Sequence, residues 1–278
     1  MDGLHNHQNT SSNMAEIKNN WQEIVEGLPS MKSESFDLSR TYYRYMSEEA
    51  FDYIMKGCFK FNNPANWWDP FESLMVNGDY SDLGYNKPAT YVACFSRLAS
   101  SEAHWKMYKR NLNETCVRVE FDMTKFIGTF NLGEVFDTQS HIYIGDVSYD
   151  LAEKSILSLG KTSKYHKQAV PSPFTEKDYV DLLLLKRKPY KWEEEARMVV
   201  LRNEPQQNEL FLCFDPSIAK TFIKSIKIEP NKKDDRYKEL YKKYKEWWDS
   251  LDNPLYSNTF NCTKSKLYDE REPLVFKK

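Results

Sequence analysis

The chain has 278 residues, 40% of them hydrophobic, 15% aromatic and 29% charged, with a formal net charge of −2. That composition supplies a real core and excludes a wholly disordered chain. The near-neutral balance removes any bulk electrostatic demand for a nucleic-acid partner. With only nine glycines, and neither a GxGxxG nor a GxxxxGK[ST] pattern, Rossmann and P-loop nucleotide sites are not expected. No run of 18 apolar residues exists, so no membrane association is expected. The polar first twelve residues carry no apolar stretch of a secretory signal. The five cysteines are scattered, mostly within apolar runs, which predicts reduced, buried thiols and a cytoplasmic location. CxxC, HExxH and Cys/His clusters are all missing, so no metal cofactor is expected.

In chain order, residues 1–12 read as a polar tail. Met14, Ile17, Trp21, Ile24, Val25 and Leu28 then fall on one helical face, with Ser12 or Asn13 as cap. Residues 1–30 are thus a tail plus an amphipathic helix that packs on the body or binds a partner protein. Residues 31–278 read as a single domain. Tyr42–Tyr45 is β-prone, a helix capped by Ser47 runs to Met55, Gly57 ends it, and Cys58–Phe61 is a second strand. Asp69-Pro-Phe-Glu72 starts a helix, with Asp at the cap, Pro at the first position and Glu at the third. Tyr80–Pro88 is a loop. Ala89–Phe95 is a buried strand, Ser100 or Ser101 caps a helix through Arg110, and Thr115–Phe121 and His141–Val147 are strands. Phe174–Arg187 reads as helical, Ala196–Leu201, Glu209–Phe214 and Phe222–Ile228 as strands, and Asp234–Leu251 as a long helix. The result is an α+β domain of roughly eight short strands flanked by helices.

Four motifs could carry chemistry. Arg44, between Tyr43 and Tyr45 at a strand end, can fork onto a phosphate or carboxylate, or simply form a surface ion pair. Ser96, after Cys94 and Phe95, can hold a ribose hydroxyl or close a turn. In Trp192-Glu-Glu-Glu-Ala-Arg197, a strand period of two points Glu193, Glu195 and Arg197 the same way. Two carboxylates and a guanidinium can stabilise a developing cation, or form a solvated edge that blocks aggregation. The Lys/Tyr/Trp-rich helix Lys232–Trp248 could meet nucleic acid, but its mixed signs and aromatic spacing favour a solvated face over a packed one.

The matching segments Tyr42–Tyr45, Trp68-Asp-Pro-Phe-Glu72, Cys94-Phe-Ser96, Trp105–Tyr108, Val119-Glu-Phe-Asp122 and Lys188–Arg197 resemble, in their order, the DUF2971 family of bacterial proteins. That family is often met near abortive-infection and phage-defence genes. The likeness extends across roughly residues 41–230. Trp67-Trp68 stands where Phe-Asn is usual, Asn113-Glu-Thr lacks the usual glycine, and Tyr190 and Trp192 invert the expected order. A weaker resemblance, to the arginine–serine–glutamate layout of ADP-ribosyltransferases, implies a split β-sandwich and NAD as co-substrate. It implies that Arg44 contacts the NAD phosphates or ribose and that Ser96 braces the nicotinamide-ribose pocket. Glu195 would bond the ribose 2′-hydroxyl, and Glu193 would orient an acceptor, which is nucleic acid, protein or water. Tyr43, Tyr45 and Phe95 are the candidate aromatic wall for nicotinamide. A fixed carboxylate beside C1′ stabilises the oxocarbenium-like transition state more than it stabilises bound NAD. Two other readings compete. One is a non-enzymatic sensor, antitoxin or subunit of a defence complex, motivated by the N-terminal helix and the aromatic content. The other is a metal-dependent nuclease using Asp69, Glu193 and Glu195.

Overall fold

A computed structural model describes residues 36–67, 69–109, 114–131, 140–149, 174–230, 233–251 and 259–267. The amphipathic helix expected over residues 14–28 and the tail before it lie outside the described residues, as do Trp68 and Asn113. The elements are β1 (Tyr42–Ser47), α1 (Glu48–Met55), β2 (Cys58–Asn62), α2 (Pro70–Val76), β3 (Ala89–Ser96), α3 (Glu102–Met107), β4 (Cys116–Phe121) and α4 (Met123–Asn131). There follow β5 (Ser140–Asp146), α5 (Glu176–Leu183), β6 (Glu195–Arg202), β7 (Glu209–Cys213), α6 (Ala219–Phe222), β8 (Ile223–Ile228), α7 (Asp234–Ser250) and β9 (Cys262–Lys264).

Local chemistry sets several of these boundaries. The Ser47 hydroxyl accepts from the Ala50 N–H and opens α1, with Glu48 and Glu49 in its first turn. Gly57 closes that helix at φ +79°, where a side chain would run into the Phe214 carbonyl. Asp69 caps α2 through the Phe71 N–H, with Pro70 at the first position. Glu72 is not its reciprocal capping partner; its carboxylate turns instead to Arg197 and Lys186.

The mixed α+β architecture is organised on one nine-stranded sheet of order β5-β6-β3-β1-β4-β8-β9, with β2 joining β3 to β7. Every pairing is antiparallel except β8 with β9. Strand β9 has no counterpart in the sequence reading, and neither does helix α4. Strands β3 and β6 pair over eight positions, whereas β1 meets β3 at Tyr43↔Ser96 alone. The sheet therefore gapes between β1 and β3 below that single join. Side-chain alternation divides the apolar residues of β3 and β6 between two cores, and a third, small cluster gathers Tyr45, Trp105 and Cys116. Tyr91, Ala93 and Phe95 of β3, with Ala196, Met198 and Val200 of β6, face the larger one, roofed by α1 and α7. Val92, Val199 and Leu201 face the smaller one with Tyr179, Val180 and Leu183 of α5.

Three expectations change. The helix expected to run to Arg187 stops at Leu183, because the next residues leave it to pair with the chain after β5. Ser148 N–H donates to the Leu184 carbonyl (2.8 Å), and Lys186 N–H donates to Ser148 (3.0 Å). Helix α7 has a packed face as well as a solvated one: Leu240, Tyr244, Trp247 and Trp248 are buried, while Lys242 and Lys245 pair with Glu246 and Asp249 one turn on. The cysteines are not all reduced: Cys58 and Cys213, directly opposed in the β2–β7 ladder, form a disulfide, and Cys94, Cys116 and Cys262 stay free. Among the described residues no helix is long and apolar enough to cross a membrane.

The bond between Cys58 and Cys213 ties residues 155 positions apart. Denatured but unreduced protein should take up three alkyl groups, and reduced protein five; uptake of five without reductant would contradict the pairing. Cys58→Ala with Cys213→Ala is expected to cost about 2–5 kcal/mol, read from a shift in the unfolding midpoint.

Candidate functional site

Strand alternation puts Cys94 and Ser96 of β3 beside Arg197 and Glu195 of β6, each pair directly opposed in register. All four lie on the sheet face that does not carry Phe95 and Ala196. Two more charges arrive from a distance. The first turn of α2 delivers Glu72, and the segment after α5 delivers Lys186. Glu193 comes from the turn before β6.

The result is a buried ionic cluster. Arg197 grips Glu195 with both arms of its fork, Nε to Oε1 at 2.9 Å and Nη2 to Oε2 at 3.0 Å. It also donates to Glu72, and its guanidinium lies 4.2 Å from the Trp67 ring centre. Lys186 Nζ reaches Glu193 at 2.6 Å, Glu195 at 3.1 Å and Glu72 at 3.6 Å. Tyr149 accepts from the Glu195 N–H at 2.9 Å. The Ser96 hydroxyl donates to the Glu193 carbonyl at 2.7 Å and accepts from the Leu98 N–H. Glu72, Glu193, Glu195, Lys186 and Arg197 are all buried.

Three carboxyls thus face two cations, so one must lack a full counter-charge. The shortfall falls on Glu193. Burial, with some repulsion from Glu195 and Glu72, outweighs the attraction of Lys186 and raises its carboxyl to about 7. Glu195 goes the other way: burial pushes it up, but Arg197 and Lys186 outweigh this and hold it well below the usual carboxylate range. Burial drives the neighbouring His104 down to about 4, so it stays neutral at physiological pH. Cys94 is pushed up by burial and is no thiolate nucleophile.

The turn between the two carboxyls is strained. Glu194 sits at φ 43°, ψ 52°, the one non-glycine residue with positive φ among those described. Left-handed backbone costs an L-residue about 1–2 kcal/mol, and such strain clusters at functional sites. The sequence reading put Glu193 on the strand with Glu195. Instead Glu193 ends a 3₁₀ turn (Lys188–Glu193), and the left-handed step at Glu194 brings its carboxyl onto Lys186.

A cleft of about 410 Å³ adjoins this turn, lined by Arg40, Arg97, Tyr149, Lys191, Trp192 and Glu194. Trp192 is 42% exposed and meets the His104 ring edge-on at 5.5 Å. Glu194 and Tyr149 wall the cleft, and both adjoin the carboxyl cluster through the chain or the 2.9 Å contact.

Of the residues singled out from sequence, Ser96, Glu193 and Glu195 come together. The candidate aromatic wall does not gather around them. Phe95 is sunk in the larger core, 5.5 Å from Phe121. Tyr45 is buried against Trp105, and its hydroxyl donates to Leu98. Tyr43 lies under the Arg118 guanidinium at 4.4 Å. The aromatic side chains near the carboxyls are instead Tyr149, Tyr190 and Trp67, with Trp192 on the adjoining cleft. Arg44 opens into a different pocket, whose lining includes neither Glu193 nor Glu195. Asp69 is held apart from the cluster by a two-pronged pair with Arg187, at 2.9 and 3.1 Å. Among the described residues no group of His, Cys, Asp and Glu is arranged to hold a metal ion. Lys186 and Glu72 were missed as site residues. A lysine directly after the apolar run Leu182–Leu185 was the one local hint.

Stability should carry the signature of Glu193. Its folded-state value near 7 lies above the unfolded one, so the folded protein holds the extra proton. That contribution is complete below the unfolded value and is lost as pH rises through 7. Glu193→Gln, which cannot ionise, is therefore expected to gain melting temperature relative to the parent between pH 5 and 8. A difference that is flat across that range would contradict the assignment. No protein-family model, curated protein or solved structure matches this chain.

Proposed function

We propose that the protein is an NAD-consuming enzyme of the ADP-ribosyltransferase or NAD glycohydrolase type, working at the carboxyl cluster beside the Trp192 cleft. The observation that carries this reading is the divergence of two neighbouring carboxyls, Glu193 raised to about 7 and Glu195 held ionised, on one lysine. Environments that push paired acids apart mark distinct acid–base roles. The single-residue join between β1 and β3 is what supports a split-sandwich reading of the sheet.

In this reading the bond from C1′ of the ribose to the nicotinamide nitrogen breaks, and its electron pair leaves with the ring. The Glu195 carboxylate holds the ribose 2′-hydroxyl and stabilises the cation that develops at C1′. An acceptor hydroxyl, from water, protein or nucleic acid, attacks C1′, and its proton passes to the ionised fraction of Glu193. Trp192 offers a face for a ring, while Arg40, Arg97 and Lys191 offer charge to the pyrophosphate. Glu194 and Tyr149 line the cleft and Glu193 and Glu195 do not, so contact between substrate and either carboxyl requires the turn at Glu194 to move. The resemblance to DUF2971 proteins adds a role as an effector in bacterial antiviral defence.

A second reading is favoured by the burial of the pair. The side chains of Glu193 and Glu195 are only 7% and 6% exposed, and each has a cationic partner. A cluster of that kind can pin a non-enzymatic sensor, antitoxin or subunit of a defence complex into one shape.

The two readings separate on Glu195→Gln. Purified protein incubated with NAD is expected to release nicotinamide, and the variant to release it on the order of 10²–10³ more slowly. Melting curves of both proteins establish that the variant is folded. Equal release by parent and variant, or none from either with water, protein and oligonucleotide acceptors all offered, would favour the second reading.

A further inference from the structure

Between β1, α1 and β2 lies a pocket of about 250 Å³, lined by Arg44, Tyr45, Glu49, Tyr53, Lys60 and Tyr108 among others. The Arg44 guanidinium is the unusual group in it. It lies over the ring faces of Phe59 at 4.7 Å and Phe95 at 5.7 Å. One long hydrogen bond, Nη2 to the Lys60 carbonyl at 3.4 Å, is its polar contact. Nη1 is buried and has no hydrogen-bond partner among the described residues. Among the described residues no carboxylate pairs with Arg44, nor with Arg118, whereas Arg97, Arg187, Arg197 and Arg236 each have one. Lys60, across the same pocket, spends its ammonium on Glu209.

A guanidinium withdrawn from water without a counter-ion is costly, and aromatic faces offset that cost only in part. Burial alone lowers its proton affinity here, another mark of an uncompensated charge. The position suits a ligand that supplies the missing oxygens. Size limits that ligand. Pockets for drug-sized molecules run from about 300 Å³ upward, so a space of about 250 Å³ admits a compact molecule and not a whole dinucleotide.

We infer that the pocket between β1, α1 and β2 is a binding site for a small anion-bearing molecule, whose phosphate or carboxylate pairs with the Arg44 guanidinium on the pocket wall. Tyr53 and Tyr108, which line the same pocket, would flank its remainder. This site is separate from the Trp192 cleft and does not depend on the chemistry proposed there.

Thermal melting of the full chain tests this with inorganic phosphate and, separately, acetate, each against sodium chloride at matched ionic strength. At a ligand concentration about a hundredfold above its dissociation constant, the parent should melt roughly 5 °C higher. Arg44→Met keeps the length of the side chain and removes the charge. It is expected to lose that shift while melting no lower than the parent in chloride. Glu195→Gln should keep the shift, which separates this site from the NAD chemistry. A response to phosphate alone points to a phosphate ester, and a response to acetate alone to a carboxylate. No shift with either anion, or an equal shift in Arg44→Met, would overturn the proposal. So would a strongly destabilised Arg44→Met, since that is what a purely structural arginine gives.

Discussion

Two cations, Lys186 and Arg197, hold three buried carboxyls, and most of the molecule's organisation on that side follows from this. Glu72 comes from the first turn of α2, Lys186 from the chain after α5, Glu193 from the turn before β6, and Glu195 with Arg197 from β6 itself. Four segments are cross-linked by one set of charges. Removing either cation would leave carboxylates buried and unpaired, a change that typically costs about 3–5 kcal/mol. Replacing the whole set by well-packed apolar side chains is often neutral or stabilising. Stability alone is therefore a poor reason for such a cluster, and a raised carboxyl beside a cleft is a better one.

The cluster also shapes its surroundings. The register of β3 against β6 sets Ser96 opposite Glu195, so the serine hydroxyl secures the carbonyl of Glu193 rather than facing solvent. The left-handed step at Glu194 then aims the two acidic side chains on either side of it, Glu193 and Glu195, at one ammonium, with Glu194 itself on the cleft wall. The unequal proton affinities start from shared burial: Arg197 and Lys186 offset it for Glu195, whereas Lys186 alone offsets it for Glu193. Across the β1–β3 gap the imbalance is reversed, with no acid among the described residues paired to Arg44.

Much of the scaffold was legible because it is written in short-range chemistry. Ser47, Gly57 and Asp69 mark their helix ends by capping and left-handed geometry, and the two-residue period of β3 and β6 divides one core from the other. Glu195 and Arg197 were legible for the same reason. Glu193 was reached by the wrong route, since a strand pattern cannot reveal a left-handed turn at a glutamate. Glu72 read as a capping residue because its true partner, Arg197, lies 125 positions away. Lys186 read as helix because the pairing of Ser148 with its segment is tertiary. The disulfide was hidden too, as Cys58 and Cys213 become neighbours only when β2 pairs with β7. Tyr45 and Phe95 had the right chemistry for a pocket wall, but alternation sends them into packed interiors.

The central claim is that two adjacent carboxyls hold opposite protonation states near neutral pH. A carbon-13 NMR titration of glutamate side-chain carboxyl carbons, with Glu193→Gln as the assignment control, measures this directly. The account expects one resonance to titrate near pH 7 and vanish in Glu193→Gln, and a second, from Glu195, to stay ionised down to the acid limit of the fold. If every glutamate titrates together in the ordinary range around pH 4–5, the cluster is solvated and the account is wrong.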